Sequence, residues 1–230
     1  MKFRGEEIMI SVAINRMHFP LTTLGYGRRV GVWFQGCSIR CPGCVSRDTW
    51  TATAHHVLSI EDVLSWLQPK LREADGLTIS GGEPFDQPEA LRVLIRSVRP
   101  GFSGDIILYT GHPWSGIQSE HPWVENDLDV DVVISEPYLS SAPASLIWRG
   151  SDNQRFHLLT SLGSQRYGEA VNEQRWPEKR SLDVCVGENE IWMAGIPRPG
   201  DLARLQAGLR RRGFSCATSE HSSQPAVFRA

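Results

Sequence analysis

Residues 35–50, QGCSIRCPGCVSRDTW, constrain this chain more than any other stretch. They carry Cys37, Cys41 and Cys44 in C-x3-C-x2-C spacing, three of the five cysteines in the sequence. Cysteine thiolates hold iron–sulfur clusters, and a four-iron cluster ordinarily takes four of them. Three thiols in one compact loop leave one iron without a protein ligand, much as a catalytic zinc keeps a position for water or substrate. Such an iron can bind a small molecule rather than only pass electrons. Taken alone, the triplet also fits a structural zinc site, an electron-transfer cluster or three unrelated thiols.

The stretch before the loop says where it sits. Residues 30–34 (VGVWF) read as a buried strand that delivers the chain to the cysteines. In α/β folds, chemistry is placed on loops at strand C-termini. Arg40 and Arg47 within the loop either steer anionic groups or are solvated. A second motif, Ser80-Gly81-Gly82-Glu83-Pro84, follows a short strand at 77–80 (LTIS). Adjacent glycines let backbone groups approach a ligand without side-chain interference, and a carboxylate beside them can pair with a cation. A lone Gly-Gly would read as an ordinary glycine-rich turn.

The remaining pattern alternates strands with amphipathic connections. An apolar run at 10–14 marks a strand within 8–19, and a glycine-bearing turn follows at 22–29. Ser59 and Asp62 form a capping box ahead of Ile60, Val63, Leu64, Leu67 and Leu71 on one helical face. Asp86, Gln87 and Pro88 open a second helix with a stripe of Leu91, Leu94, Ile95 and Val98. Strands follow at 105–109 (DIILY) and 130–134 (VDVVI), with one short helix and a loop across 114–127. This order predicts a parallel sheet with right-handed crossovers, and a doubly wound sheet satisfies it. Beyond a polar segment at 146–155 and a strand at 155–160, a loop or flap is expected at 161–180. A hairpin of 182–186 and 190–196, joined by 187–189, then leads to a helix capped by Asp201, carrying Leu202, Leu205 and Leu209 and ended by Gly213. Cys185 and Cys216 read as structural thiols.

Composition sets outer bounds. At 230 residues and 40% hydrophobic content, the chain suits one domain with an appendage. A net charge of −2 carries no nucleic-acid or polybasic membrane signature, and no apolar run approaches the ~20 residues of a membrane span. The opening MKFRGEEIMI is too acidic and too briefly apolar for a secretory signal. Five cysteines with three in one loop do not make a disulfide framework, and a reducing cytoplasm is the expected setting. Neither nucleic acid nor a membrane is an expected partner.

The triplet behind an apolar strand resembles the signature of the radical S-adenosylmethionine (radical SAM) enzymes. The longer string of Gln35-Gly36-Cys37, Cys41-Pro42-Gly43-Cys44 and Thr49-Trp50 is similar to the activating enzymes of anaerobic ribonucleotide reductase. So are Tyr109-Thr110-Gly111 and LIWRGSDNQR at 146–155; the resemblance covers roughly residues 10–159 and leaves the rest unmatched. It implies a partial, open (β/α) barrel as the core at 1–160; the residues beyond it read as a small C-terminal α+β addition, with a hairpin-plus-helix at 161–216 and a mobile tail at 217–230. It implies a [4Fe-4S] cluster on Cys37, Cys41 and Cys44, and SAM whose methionine amine meets Gly81, Gly82 and Glu83 with Ser80 alongside. Thr110 or Tyr109, Glu136, Arg149, Asn153 and Gln154 complete the implied cofactor contacts. The implied chemistry is reductive cleavage of SAM to a 5′-deoxyadenosyl radical that activates a glycyl-radical enzyme, with a flavodoxin- or ferredoxin-type electron donor. Radical modification of a peptide or small molecule is the alternative; an iron–sulfur electron-transfer protein is the alternative of another class. Two departures stand out. Ser135 occupies a position where relatives carry aspartate, and Gly43 stands where many radical SAM enzymes place an adenine-packing aromatic.

Overall fold

The computed structural model describes residues 10–187, 190–219 and 228–229. Strands β1 (Ser11–Leu21) and β2 (Arg29–Phe34) are followed by the cysteine loop, β3 (Val57–Ser59), helix α1 (Ile60–Leu71) and β4 (Gly76–Gly81). Then come α2 (Pro88–Val98), β5 (Asp105–Tyr109), α3 (Trp114–Glu120), α4 (Trp123–Asn126), β6 (Val132–Ser135) and β7 (Arg155–Leu158). The last third holds α5 (Ser161–Tyr167), β8 (Asp183–Val186), β9 (Ile191–Ala194), α6 (Asp201–Arg210), β10 (Ser215–Cys216) and β11 (Phe228–Arg229).

Seven strands form one mixed sheet in the order β3-β1-β2-β4-β5-β6-β7. The central β2, β4, β5 and β6 are parallel, as the alternation of apolar strands and helices predicts. Antiparallel β1 and β7 flank them. Period-two alternation sorts the strand side chains onto two faces. Val30, Val32, Phe34, Leu77, Ile79, Leu108 and Val133 pack against Val63, Leu67, Leu91, Leu94 and Ile95 of α1 and α2. On the other face, Ile107, Val132 and Ile134 meet Trp148, Phe156, Tyr167 and Val171. Leu21, Leu24 and Trp33 meet Ala194 of β9 there as well. No helix among the described residues is long and apolar enough to cross a membrane.

Three expectations change. The stretch at 161–180 contains α5, whose start is capped by Thr160 accepting from the Gly163 amide at 3.1 Å. A Cβ on Gly163 would stand 2.4 Å from the Asp131 carbonyl, so this helix needs a glycine to lie against β6. Its few buried residues, Gly163 and Tyr167, make no recognisable apolar stripe. Residues 114–127 make two short helices rather than one. Asp201 is the first residue of α6 and Gly200, at φ 82, stands in the cap position; the Asp201 carboxylate accepts instead from the Arg198 amide at 2.7 Å. The hairpin β8–β9 forms as expected. Its turn residues 188–189, most of the expected tail (220–227 and Ala230) and the first nine residues lie outside the described residues.

The end of the sheet opposite the cysteine loop is locked by a buried ion pair. Arg29 at the start of β2 and Asp105 at the start of β5 lie 2.9 Å apart, both fully buried. The guanidinium crosses β4 on the way, donating to Thr78 Oγ1 at 2.6 Å and to the Leu77 carbonyl at 2.8 Å. Tyr167 of α5 donates to Asp105 at 2.9 Å. Gly76 makes the crossing possible, since a Cβ there would meet Arg29 at 2.1 Å. Removing one partner of a buried pair strands the other charge. Asp105→Ala should therefore lower unfolding stability by about 3–5 kcal/mol, measured by denaturant titration. Arg96→Ala, on the exposed face of α2, should stay within about 0.5 kcal/mol of the parent.

Candidate cluster and cofactor site

The C-terminal tips of β2 and β4 build the site. Phe34 pairs with Gly81 in the parallel ladder, and the pairing continues past both strand ends. The Gly82 amide donates to the Phe34 carbonyl and the Glu83 amide to the Gly36 carbonyl, each at 2.8 Å. Only glycines allow this approach. A Cβ on Gly81 would sit 2.2 Å from the Phe34 nitrogen, and one on Gly82 would sit 1.9 Å from the Gly36 oxygen. Gly81 also adopts φ 118, in the region L side chains avoid.

The cysteine loop is closed on its other side by the Gly36 amide donating to Thr49 at 2.7 Å and the Cys37 amide donating to Trp50 at 3.1 Å. Four polar side chains pin it in place, none of them expected in that role. The buried Gln35 donates to the carbonyls of Asp48 and Thr51 at 3.0 and 2.7 Å, and accepts from Asn15 at 2.7 Å. Gln87 donates to the Gln35 carbonyl at 3.0 Å. Asp86 accepts from both the amide and the hydroxyl of Ser38 at 2.6 Å. The available signal was a polar glutamine directly after the apolar run VGVWF, since a polar group buried there must find partners.

Cys37, Cys41 and Cys44 are half-buried and in no disulfide. Cys44 Sγ accepts from the Ser46 amide at 3.4 Å. Burial pushes the Cys37 and Cys44 thiols up, and the neighbouring Cys41 and Cys37 push Cys44 further. Partial burial therefore penalises the Cys37 and Cys44 thiolates, a cost that bound iron would relieve. Among the described residues no three His, Cys, Asp or Glu side chains converge tightly enough for one metal ion. That convergence is a requirement of a mononuclear site; in a cluster each iron takes its own thiolate. Three unbridged thiols on one anchored loop fit the cluster.

Glu83 is almost fully buried behind this seam. Its Oε1 accepts from Phe85 N at 3.0 Å and Thr110 Oγ1 at 2.9 Å, while Oε2 accepts from Gly111 N at 2.8 Å. Burial pushes its carboxyl up, against the pull of these donors. A cavity of about 470 Å³ is lined by Gly43, Cys44, Ser80, Tyr109, Tyr138, Gln154 and residues of the C-terminal addition. Of the expected cofactor residues, Ser80, Tyr109 and Gln154 line the cavity with Cys44, whereas Gly81, Gly82 and Glu83 are not in its lining. Thr110 meets the carboxylate of Glu83 directly.

The others are placed elsewhere. Glu136, at φ 81, accepts from the Trp114 amide at 3.1 Å. Ser135, the departure from the aspartate pattern, instead bonds His157 Nε2 at 2.8 Å. Arg149 is fully buried and donates to the carbonyls of Gln154, Val171 and Asn172 and to Asn172 Oδ1, bracing the loop from within. Asn153 donates to the Pro137 carbonyl at 2.8 Å. Cys185 and Cys216 stand apart on β8 and β10.

Comparison with known proteins gives this arrangement a lineage. The family model described as a 4Fe-4S single cluster domain matches residues 23–157. The anaerobic ribonucleoside-triphosphate reductase-activating protein of Enterobacteria phage T4 is 35% identical over 136 residues, 57% of this chain and 84% of that protein. Its counterpart in Escherichia coli K12 is 31% identical over 152 residues, 62% of this chain and 96% of that protein. The pyruvate formate-lyase-activating enzyme of Clostridium pasteurianum is 42% identical over 71 residues, 29% of this chain and 30% of that protein. This chain belongs to the radical SAM activase family. It is an enzyme of that class, with a [4Fe-4S] cluster and SAM as its cofactors.

For a radical SAM activase, the seam between Gly82 and Gly36 ties the glycine turn to the cysteine loop. Gly82→Ala should force the two backbones apart. The expected result is a loss of about 1–3 kcal/mol or more in stability together with depleted iron after anaerobic reconstitution, read by metal analysis. Gly101→Ala, where a Cβ meets nothing within 4 Å, should retain full iron content.

Proposed function

We propose that this chain activates a glycyl-radical enzyme, of which anaerobic ribonucleotide reductase is the type favoured by the named relatives. The observation that carries the reading is the backbone seam: Glu83, the one acid of the glycine turn, is hydrogen-bonded through its own amide to the residue before Cys37. Cys37, Cys41 and Cys44 then each take one iron, and the fourth iron is left for the cofactor. Bound together, the cluster and SAM supply one chemistry: an electron enters the sulfonium, a carbon–sulfur bond breaks, and methionine and a 5′-deoxyadenosyl radical result.

The chain's own groups bind and orient. Glu83 and the glycine backbone take the methionine amine, with Ser80 alongside, and Thr110 and Gly111 hold the carboxylate in place for it. Gln154 reaches the same cavity, while Glu136, Arg149 and Asn153 support the loops around it. The aromatic lining of Trp33, Tyr109 and Tyr138 excludes water from a radical that would otherwise be quenched. On this reading the seven-stranded sheet is a partial, open (β/α) barrel with its core at 1–160, the electron comes from a flavodoxin- or ferredoxin-type donor, and the setting is the cytoplasm. Radical modification of a peptide or small molecule is the second reading, favoured by the C-terminal addition that walls the cavity.

Anaerobic reconstitution followed by SAM and dithionite is the test. The expected product is 5′-deoxyadenosine, and with a glycyl-radical reductase present, a glycyl radical seen by electron paramagnetic resonance. Replacing Cys37, Cys41 or Cys44 with alanine should abolish both cluster assembly and cleavage. A brown protein that cleaves no SAM would instead be an electron carrier, and a colourless one a zinc module.

A further inference from the structure

The hairpin β8–β9 and helix α6 lie beyond the matched residues 23–157. Because 62% of this chain already accounts for 96% of the Escherichia coli relative, that protein has no comparable length to spare. Here the addition reaches the centre of the molecule. Glu190 through Pro199 and Leu202 line the same 470 Å³ cavity as Cys44 and Ser80.

The addition is fastened at several points. Asp183 accepts from the amide and hydroxyl of Thr22 at 2.6 Å, and Thr23 donates to the Ala194 carbonyl at 3.1 Å. Arg16 of β1 forks onto Glu190 at 2.8 and 3.0 Å, a planar two-bond match. Ser219 donates to the Val45 carbonyl inside the cysteine loop itself. Trp192 stands at the middle of this contact. Its ring meets Trp33 of β2 edge-on at 5.0 Å and His18 at 4.9 Å, with the Arg16 guanidinium 5.1 Å from its centre.

We propose that the hairpin β8–β9 is the substrate-side wall of the cofactor cavity, and that Trp192 is its specificity-determining side chain, admitting a slim stretch of extended peptide and excluding bulky neighbours. The inference rests on the proposed function and adds the element that selects the substrate. Two observations give the chemical class. A cavity near 470 Å³ matches a site for one small ligand, so with SAM inside only a narrow segment can follow. Arg16 and Glu190 neutralise each other at the wall, Asp48, His56 and Arg198 stand elsewhere in the lining, and Trp192 and Trp33 supply its largest apolar groups, which suit peptide backbone.

Two acetylated, amidated pentapeptides test this, each with a dideuterated central glycine, one flanked by alanines and one by tryptophans. Deuterium carried into 5′-deoxyadenosine gives kcat/KM for each. Wild type should prefer the alanine peptide by about tenfold or more, and Trp192→Ala should bring the two within about twofold. Should Trp192→Ala fail to assemble its cluster, Trp192→Leu, which keeps an apolar seat, carries the same comparison. An equal ratio in wild type and variant overturns the inference, as does a wild type that makes 5′-deoxyadenosine but takes deuterium from neither peptide. A wild type that makes no 5′-deoxyadenosine at all sinks the proposed function instead.

Discussion

Two missing β-carbons hold the site together. Gly81 and Gly82 let the tip of β4 close onto the tip of β2 until the backbone of one bonds the backbone of the other, ending at Gly36 beside the first cysteine. Any side chain at Gly82 would occupy the space of the Gly36 carbonyl. The consequence is mechanical: the cysteine loop and the acidic turn move as one body, since they share main-chain hydrogen bonds rather than flexible side chains. If a cofactor is held between the cysteine loop and the acidic turn, as proposed, it would need that fixed separation, because productive geometry tolerates little drift.

The rest of the fold supports this junction from below. Parallel strands β2, β4 and β5 diverge from a common start where Arg29, Thr78 and Asp105 are bonded across the sheet. That buried charge pair fixes the strand starts, and the ladder transmits the register to the tips. Helices α1 and α2 cover one face with aliphatic side chains. The opposite face is left for the loop at 146–154, α5 and the hairpin, whose aromatic side chains line or back the cavity.

How much of this was legible in the sequence follows from the range of the forces involved. Strands and long helices were readable because Val30, Val32, Leu77, Ile79, Leu91 and Leu94 repeat with the period of their elements. That the cysteine loop and the Gly81-Gly82-Glu83 turn stand at strand tips was readable because each directly follows an apolar strand. Helix α5 was not, since its place depends on Gly163 fitting against the distant Asp131 carbonyl. Arg149 was expected at the cofactor, and a donor fork does suit carboxylates. Which acceptors it meets is a tertiary fact, and here they are backbone carbonyls of 154, 171 and 172. The anchoring roles of Asn15, Gln35 and Gln87 were not legible for the same reason: each depends on partners that only the folded loop brings within reach.

The two ends of the sheet are built from different chemistry, and the difference has a physical rationale. At the strand starts, far from the cysteines, full charges are buried against each other. Around the cysteine loop the anchors are mainly neutral: the amides of Asn15, Gln35 and Gln87 and the hydroxyl of Thr110. A full charge near a cluster shifts its reduction potential, and one near Glu83 competes for or repels the cation that the carboxylate awaits. Amides give positional control through paired donors and acceptors without adding a full charge of their own. Asp86, held by Ser38 at the outer edge of the loop, is a charged anchor, and Arg40, Arg47 and Asp48 bring further charges into the loop itself. The Asp86 contact is exposed, where water screens it most.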